Sequence, residues 1–327
     1  MRVFMLLVAA LALMAVTPPG LAHGQPSLAR VAIVRLGNAD QDITREPFME
    51  AMRALGYVEG RNIVYEVRYA DNDAAVLRQH MQDVVRLPVD VIMSGGTPAA
   101  RAARDTTQTI PIVLFGVSDP VQVGLATSMA RPGGNVTGFT NEVEGGGVVA
   151  ERIAILKDIM PGLRRLGLLR NPDNPGGLVP TQAMAETARG LGIAAAVFEA
   201  RQAEDVGRVF EAMAEAAVEA VAVEDDGTLN SNRALIAAQA ARRRLPLVCG
   251  FRVFVQAGCL LSYAVDFRDN ARRAAGYVDK ILKGAQPGEL PFQQPSKIDL
   301  VINMKMVKML GLTVPAIVMI RVHEVIE

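Results

Sequence analysis

The sequence is poor in the residues on which many catalytic and metal sites depend. It has three histidines: His23 lies near the start, His80 falls in a predicted helix, and His323 lies in the C-terminal tail. A histidine-based catalytic dyad or metal site is therefore not expected where the predicted strands end. One sign of charge is not in excess either, because 34 basic residues balance 34 acidic ones. This balance predicts no binding to nucleic acid or to an acidic membrane surface.

Cysteine is also scarce. The sequence has two cysteines, Cys249 and Cys259, which flank a short segment with a helical pattern. An oxidising compartment would allow a disulfide between them. Their spacing in the sequence does not show whether their Cα atoms come close enough for one. The sequence is therefore compatible with either a disulfide or two buried thiols.

Residues 1–24 have the features of a secretory signal peptide. Arg2 precedes an apolar run over 3–16, which is shorter than the roughly 20 residues of a membrane-spanning helix. Small residues predict cleavage between Ala22 and Gly24, and an uncleaved anchor is the alternative. Because neither cysteine lies near this point, a lipid anchor is not expected. We expect a soluble, exported protein, which in a bacterium with two membranes is periplasmic.

From Arg30 onward, short Val-, Ile- and Leu-rich runs alternate with longer segments of helical period. Such alternation is typical of βαβ units and a mainly parallel sheet. About 300 residues are more than one hydrophobic core usually organises. The sequence therefore predicts two doubly wound, Rossmann-like α/β lobes, formed by residues 27–139 plus 267–294 and by residues 140–266 plus 295–327.

The chain is expected to pass between the lobes three times. A long helix predicted over 267–283 ends at Gly284, and a Pro-rich passage follows it. Three connections would restrict the relative motion of the lobes to a hinge bend. The hinges are predicted near 138–143, 264–267 and 293–297.

Polar and turn-forming residues follow most of the predicted strands. In the first lobe these are Asn38, Gly96, Thr97, Pro98, Ser118 and Asp119, and in the second they are Asn171, Asp173, Asn174, Asp226, Thr228 and Tyr263. Helix capping and turn formation explain each of them individually. They explain less well why both lobes carry such groups at the carboxyl ends of strands, where α/β proteins bind ligands. We expect two facing walls of a ligand cleft.

The same stretches argue against several chemistries. Gly95 and Gly96 lack the lysine and spacing of a P-loop, and they do not fit G-x-G-x-x-G. Glu224, Asp225 and Asp226 offer a general base or a cation site, but the sequence places no nucleophile opposite them. We therefore expect a binding protein that needs no cofactor or metal. A secreted enzyme that uses the acidic cluster is the alternative.

Short motifs spread over the predicted mature chain occur in a characteristic order. They are LGYVEGRN at 55–62, GTPAA at 96–100, TIPIV at 109–113, SDPV at 118–121, RPGGNVTG at 131–138, ILKG at 281–284 and LGLTVP at 310–315. In this order they resemble the ABC-transporter substrate-binding proteins of the group that includes the tryptophan and aromatic amino-acid binders, with the type I periplasmic-binding fold.

The resemblance implies a monomeric receptor whose lobes close on a small molecule, with no covalent chemistry. It implies delivery to a membrane permease powered by an ATPase, and hence peripheral contact with a membrane protein. The alternative is a periplasmic sensor that presents its closed state to a membrane signalling partner.

The resemblance also assigns roles for an amino acid or a related carboxylate. Thr97 and the N–H groups that follow it would hold the carboxylate at a helix N-terminus, where Pro98 suits the first turn. Ser118 and Asp119 would contact the same ligand. Asp226, which matches a recurrent acidic residue of the family, would bind the ammonium.

Aromatic residues would cover the ligand's side chain in this interpretation. These are Tyr263, Phe251 and Phe139, the last near the first hinge. The stretch from Glu224 to Asn230 departs from the apolar character expected there. The extra carboxylates predict a polar or cationic ligand as the alternative to an aromatic one.

Overall fold

The structure is a computed structural model that describes residues 28–141, 143 and 147–327. The predicted signal peptide lies outside the described residues. Among the helices that the structure describes, none is long and apolar enough to cross a membrane.

A parallel sheet forms the centre of the N-terminal lobe. Within the described residues its strands are β1 (Ala29–Arg35), β2 (Ile63–Tyr69), β3 (Val91–Ser94), β4 (Ile112–Val117) and β5 (Val136–Thr140). Their order in the sheet is β2-β1-β3-β4-β5, and every neighbouring pair is parallel. The helices between them are α1 (Arg45–Ala54), α2 (Ala74–Val84) and α3 (Thr97–Thr106).

A larger sheet forms the centre of the C-terminal lobe. Its strands are β6 (Arg165–Arg170), β7 (Ala194–Glu199), β8 (Ala220–Val223), β9 (Leu247–Cys249), β10 (Leu261–Val265), β11 (Ile298–Asn303) and β12 (Glu324–Ile326). The order is β12-β11-β10-β9-β8-β6-β7. β11 runs antiparallel to β10, and the other pairs are parallel.

Helices cover both sheets. In chain order the remaining ones are α4 (Gly147–Ile159), α5 (Leu178–Gly190), α6 (Ala203–Glu215), α7 (Gly227–Ser231), α8 (Arg233–Arg242), α9 (Arg252–Ala257), α10 (Phe267–Leu282), α11 (Met304–Leu310) and α12 (Ala316–Met319). Short 3₁₀ turns lie at Ala39–Gln41, Pro175–Gly177 and Pro287–Glu289.

Each sheet is buried on both faces, so each lobe has two apolar core clusters. The helix α10 shows how one is built. Ala271, Ala274, Ala275 and Val278 are spaced to form one buried helical face. That face packs in the cluster that also contains Ile33 of β1. α10 therefore belongs to the N-terminal lobe, although it follows a strand of the other one.

The chain passes between the sheets at three places: from β5 to α4, from β10 to α10, and from residue 293 to β11. The first and third connections run side by side. Thr140 N–H donates to the Gln293 carbonyl at 2.9 Å, and Gln293 N–H donates to the Gly138 carbonyl at 2.9 Å. We retain these connections as the proposed hinges.

The strand β5 was not among the expectations from the sequence, which placed only a hinge, near 138–143, in this part of the chain. Gly138 weakens the strand pattern, because glycine has no side chain to pack. In the structure Gly138 has φ 140°, and a Cβ there would overlap the backbone of Leu114 on β4. Close approach of two backbones explains the glycine, and β5 extends the sheet.

Candidate ligand-binding site

A cavity of about 560 Å³ lies between the two lobes. Residues that follow β1, β3 and β4 line it on one side, and residues that follow β8, β9 and β10 line it on the other. These are the carboxyl ends of parallel strands, where the loops of an α/β sheet converge. Pockets for small ligands have volumes of about 300 to 1,000 Å³. The cavity therefore has room for one small molecule.

The lobes touch across this cavity. Gly176 of the C-terminal lobe lies against the N-terminal lobe, so that a Cβ there would overlap the Thr97 side chain and lie 3.0 Å from Ser118 Oγ. Asn72 Nδ2 of the N-terminal lobe donates to Ser231 Oγ of the C-terminal lobe at 2.8 Å. The structure therefore shows a closed arrangement of the lobes.

The N-terminus of α3 opens into the cavity. Gly96 is the N-cap residue and has φ 82°, a left-handed conformation that favours glycine. Because glycine has no side chain, it cannot accept a hydrogen bond from the first N–H groups of the helix. Pro98 follows Thr97 in the first turn and has no N–H. The remaining N–H groups and the Thr97 hydroxyl are suited to bind an anion.

Three consecutive carboxylates follow β8 in the opposite wall, and each of them accepts hydrogen bonds from other residues of the protein. Asp225 forms a bidentate ion pair with Arg152 at 2.8 and 2.9 Å, and the Arg152 side chain is fully buried. Glu224 accepts hydrogen bonds from Asn171 N–H at 2.8 Å and from Asn174 Nδ2 at 2.9 Å. These two carboxylates hold the wall together.

The third carboxylate, Asp226, lines the cavity and is 2% exposed. It caps α7 by accepting from Leu229 N–H at 2.9 Å, and it accepts from Asn171 Nδ2 at 3.3 Å. Within residues 28–141, 143 and 147–327, neither Asp226 nor Glu224 has an ion-pair partner. Burial raises the pKa of Asp226, and burial together with the Asp226 charge raises the pKa of Glu224 to about 8. A cation in the cavity would relieve this cost.

Two buried amide oxygens also favour a ligand that carries a hydrogen-bond donor. Oδ1 of Asn141 and Oδ1 of Asn230 are buried without a hydrogen-bond partner in the described part of the chain. Both residues line the cavity. Asn230 belongs to α7, the helix that Asp226 caps. A donor group of a ligand would satisfy acceptors that the protein leaves unpaired.

Aromatic rings line another part of the cavity. Phe251 follows β9 and stacks on Phe267, the first residue of α10, with ring centroids 5.6 Å apart and planes 25° apart. Phe115 lies under Arg35, whose guanidinium carbon is 4.3 Å from the ring centroid. All four residues line the cavity. These surfaces can receive an apolar or aromatic group.

Residues 31–326 match the family model for ABC transporter substrate binding proteins. The chain belongs to this family of ABC transporter substrate-binding proteins.

Other comparisons agree with this family and its fold. A tyrosine-binding protein of Clostridioides difficile is 22% identical over 83% of this chain and 77% of the relative. A conserved domain protein from Vibrio cholerae has a TM-score of 0.86 and 28% identity, over 91% of this chain and all of the other. A Streptococcus pneumoniae ABC domain in complex with L-Trp has a TM-score of 0.86 and 21% identity, over 92% of this chain and all of the other.

The cavity of this substrate-binding protein brings many of the predicted site residues together. Those that line it are Asn38, Gly96, Thr97, Pro98, Ser118, Asn174 and Asp226. The predicted residues that do not line it are Asp119, Phe139, Asn171, Asp173, Thr228 and Tyr263.

The two aromatic residues of the second group pack against the cores of the lobes. Tyr263 lies on β10 between Ser262 and Ala264, which line the cavity. Since side chains alternate along a strand, Tyr263 points to the opposite face and packs against the C-terminal core. Phe139 is 1% exposed and lies in the N-terminal core, 5.0 Å from the Tyr277 ring. We therefore remove both from the proposed site.

The polar residues of the second group have structural contacts. Asp119 accepts from the N–H groups of residues 121 and 122. Asp173 is exposed beside Arg201. Asn171 lies behind the wall, where it donates to Glu224 and Asp226. The Thr228 carbonyl accepts from Asn232 Nδ2. Capping and turn formation explain these residues without a ligand.

Sequence reasoning did not select several residues that shape the site. Arg35, Phe115 and Phe267 line the cavity, and Arg152 anchors its acidic wall. Arg35 and Phe267 lie at the end of β1 and the start of α10. The rule that ligands bind at strand ends could have found these two. Arg152 lies inside an apolar helix and has no such signal in the sequence.

Proposed function

We propose that this substrate-binding protein is the exported receptor of an ABC importer and traps one amino acid between its lobes. The proposal rests on two binding positions for charged groups, here called seats, on opposite walls of one closed cavity. One wall offers the uncapped N-terminus of α3, and the other offers the buried carboxylate of Asp226. An amino acid has a carboxylate for the first seat and an ammonium for the second.

The proposed contacts follow from these seats. The ligand carboxylate accepts hydrogen bonds from the start of α3 and from the Thr97 and Ser118 hydroxyls. The ammonium donates to Asp226 and to the unpaired amide oxygen of Asn230. The stacked rings of Phe251 and Phe267 cover the side chain.

The acidic wall supports an aromatic ligand more than the sequence suggests. The extra carboxylates of Glu224 and Asp225 favoured a polar or cationic side chain. In the structure Glu224 binds Asn171 and Asn174, and Asp225 binds Arg152. The names of the tyrosine-binding relative and of the L-Trp complex agree with an aromatic amino acid.

The seats on opposite lobes also explain closure. An amino acid in an open cleft contacts one seat at a time, whereas the closed state satisfies both. Only this difference in affinity is needed to shift the lobes towards the closed state. The closed receptor then delivers its ligand to a membrane permease, and the associated ATPase supplies the energy for transport. The binding step requires no covalent chemistry.

A thermal-shift screen tests this function. We expect L-tryptophan, L-tyrosine or L-phenylalanine to raise the melting temperature, because a ligand that binds the folded state stabilises it. Phenylalaninamide lacks the carboxylate, and 3-phenylpropionate lacks the ammonium. Each should bind at least about tenfold more weakly than L-phenylalanine, since each loses a charge-assisted contact.

Matched variants assign the ammonium seat. Asp226→Asn retains a capping side chain for α7 but removes the charge, so we expect a loss of affinity of about 100-fold. Asp119→Asn changes a carboxylate outside the cavity and should bind as the wild type does. The proposal fails if no amino acid raises the melting temperature, or if both variants bind equally well.

A further inference from the structure

We propose that Cys249 and Cys259 form a disulfide that fixes one wall of the ligand cleft. Their Sγ atoms lie 2.6 Å apart, and neither residue has exposed surface. A disulfide has an S–S bond of about 2.04 Å. The two sulfur atoms are therefore only about 0.6 Å farther apart than in a disulfide bond.

The fold brings the two cysteines together. Cys249 is the last residue of β9, and Cys259 lies just before the neighbouring strand β10. Gly258 has φ 119° and reverses the chain after α9. Both Sγ atoms lie near the Leu261 carbonyl oxygen, at 3.4 Å from Cys249 and 3.3 Å from Cys259. The side chains thus point to one place between the strands.

The segment between the cysteines forms part of the cleft. Gly250, Phe251, Arg252 and Val253 all line the cavity. A Cβ at Gly250 would overlap the carboxylate of Asp225. The loop therefore rests on the acidic wall, and it carries the Phe251 ring that stacks on Phe267. A bond between Cys249 and Cys259 would tie this loop at both ends.

The oxidation balances with a small disulfide as the oxidant. One cysteine thiolate attacks oxidised glutathione, which forms a mixed disulfide and releases one glutathione. The second cysteine thiolate then attacks the mixed disulfide, which closes the protein bond and releases the other glutathione. Two cysteines are oxidised, one glutathione disulfide is reduced, and the two cysteine protons pass to the glutathione products.

The bond should form while the chain folds. In the folded state both thiols are buried, and burial raises the pKa of Cys249 well above its usual value. A buried, protonated thiol reacts slowly because the thiolate is the nucleophile. Before β9 and β10 pack, both thiols are open to the oxidant.

The test refolds the reduced, denatured chain in a glutathione redox buffer, so it does not depend on export. The product is then unfolded under non-reducing conditions, treated with iodoacetamide and weighed by mass spectrometry. We expect no alkyl groups on the monomer. Two alkyl groups, or a disulfide-linked dimer, would overturn the proposal. The Cys249→Ser variant should accept one alkyl group or one glutathione, which shows that the reagents reach Cys259.

Hydrogen exchange tests the effect on the cleft. A disulfide that closes the segment 250–258 into a loop should strongly suppress local unfolding of this segment. We expect amides in the segment 250–258 to exchange about tenfold faster in the Cys249→Ser/Cys259→Ser double variant than in the oxidised wild type. Amides of α6, in the same lobe, serve as the internal reference. Equal exchange in both proteins would overturn the claim that the bond fixes the wall.

Discussion

The two walls of the cleft handle charge in different ways. The N-terminal wall uses backbone N–H groups at the start of α3, together with the hydroxyls of Thr97 and Ser118. The C-terminal wall uses three carboxylates after β8, which rely on Arg152 and on buried amides. Backbone donors have no ionisation to change, whereas buried carboxylates depend on pH and on partners. Single substitutions and changes of pH should therefore affect the C-terminal wall most.

The largest effect, on the free energy of unfolding, is expected when Asp225 loses its ion-pair partner Arg152. Arg152→Met leaves the carboxylate of Asp225 without its bidentate ion pair, and breaking a buried pair costs about 3 to 5 kcal/mol. The free energy of unfolding in urea would measure this cost. Arg201→Met removes an exposed ion pair and should cost less than about 1 kcal/mol. Equal effects of the two variants would show that Arg152 does not stabilise the acidic wall.

The second-largest effect is expected in the pH dependence of the free energy of unfolding. The pKa of Glu224 is about 8 in the folded protein and near 4.5 when unfolded. Between these values the folded state binds more protons than the unfolded one, so the stability of the ligand-free protein falls as pH rises from 5 to 8. The loss should be of the order of 3 kcal/mol. Denaturant unfolding should show this slope in the wild type and a flatter one in Glu224→Gln. Equal slopes of stability against pH in the two proteins would contradict the raised pKa of Glu224.

A smaller effect is expected from a variant that hinders closure of the lobes but leaves the stability of the fold unchanged. Gly176→Ala places a methyl group against Thr97 and Ser118, which happens only when the lobes are closed. We expect ligand affinity to fall by about 10- to 100-fold, because overpacked contacts cost about 1 to 3 kcal/mol. The stability of the free protein should change little.

The control for this variant is Gly207→Ala, since a Cβ at Gly207 would have no heavy atom within 4 Å beyond its own stretch of α6. It should leave affinity unchanged in calorimetric titrations with the best ligand of the screen. If Gly176→Ala also binds normally, the lobes do not close as the structure shows.

The smallest effect is expected at Tyr263. Because its side chain packs against the C-terminal core and does not line the cavity, Tyr263→Phe should keep ligand affinity within about twofold. Phe251→Ala removes a ring that lines the cavity and should lower affinity by about tenfold. Affinity measurements with both variants would decide which aromatic residue contacts the ligand. A large loss in Tyr263→Phe would return this residue to the site.

The sequence predicted the two α/β lobes and much of the cleft for a physical reason. The carboxyl ends of parallel strands meet at one edge, so residues as distant as Thr97 and Asp226 could be assigned to facing walls. It could not indicate that Tyr263 lies outside the cavity, because β10 packs on both faces. Without a polar face, the pattern does not show which side chains point to the cleft.

The partner of Asp225 was also beyond prediction. Arg152 lies 73 positions earlier in the chain, on a helix after the first connection between the lobes. Pairing over such a distance depends on the packing of the whole lobe. The roles of Glu224 and Asp225 changed for this reason, because both carboxylates satisfy groups inside the wall.

A crystal structure with the best amino acid of the screen tests the central claim most directly. We predict the ligand carboxylate within about 2.7 to 3.2 Å of the N–H groups at the start of α3. The ligand ammonium should lie at the same distance from Asp226 Oδ2. A ligand in the reverse orientation, or one whose ammonium has no contact with Asp226, would contradict the account.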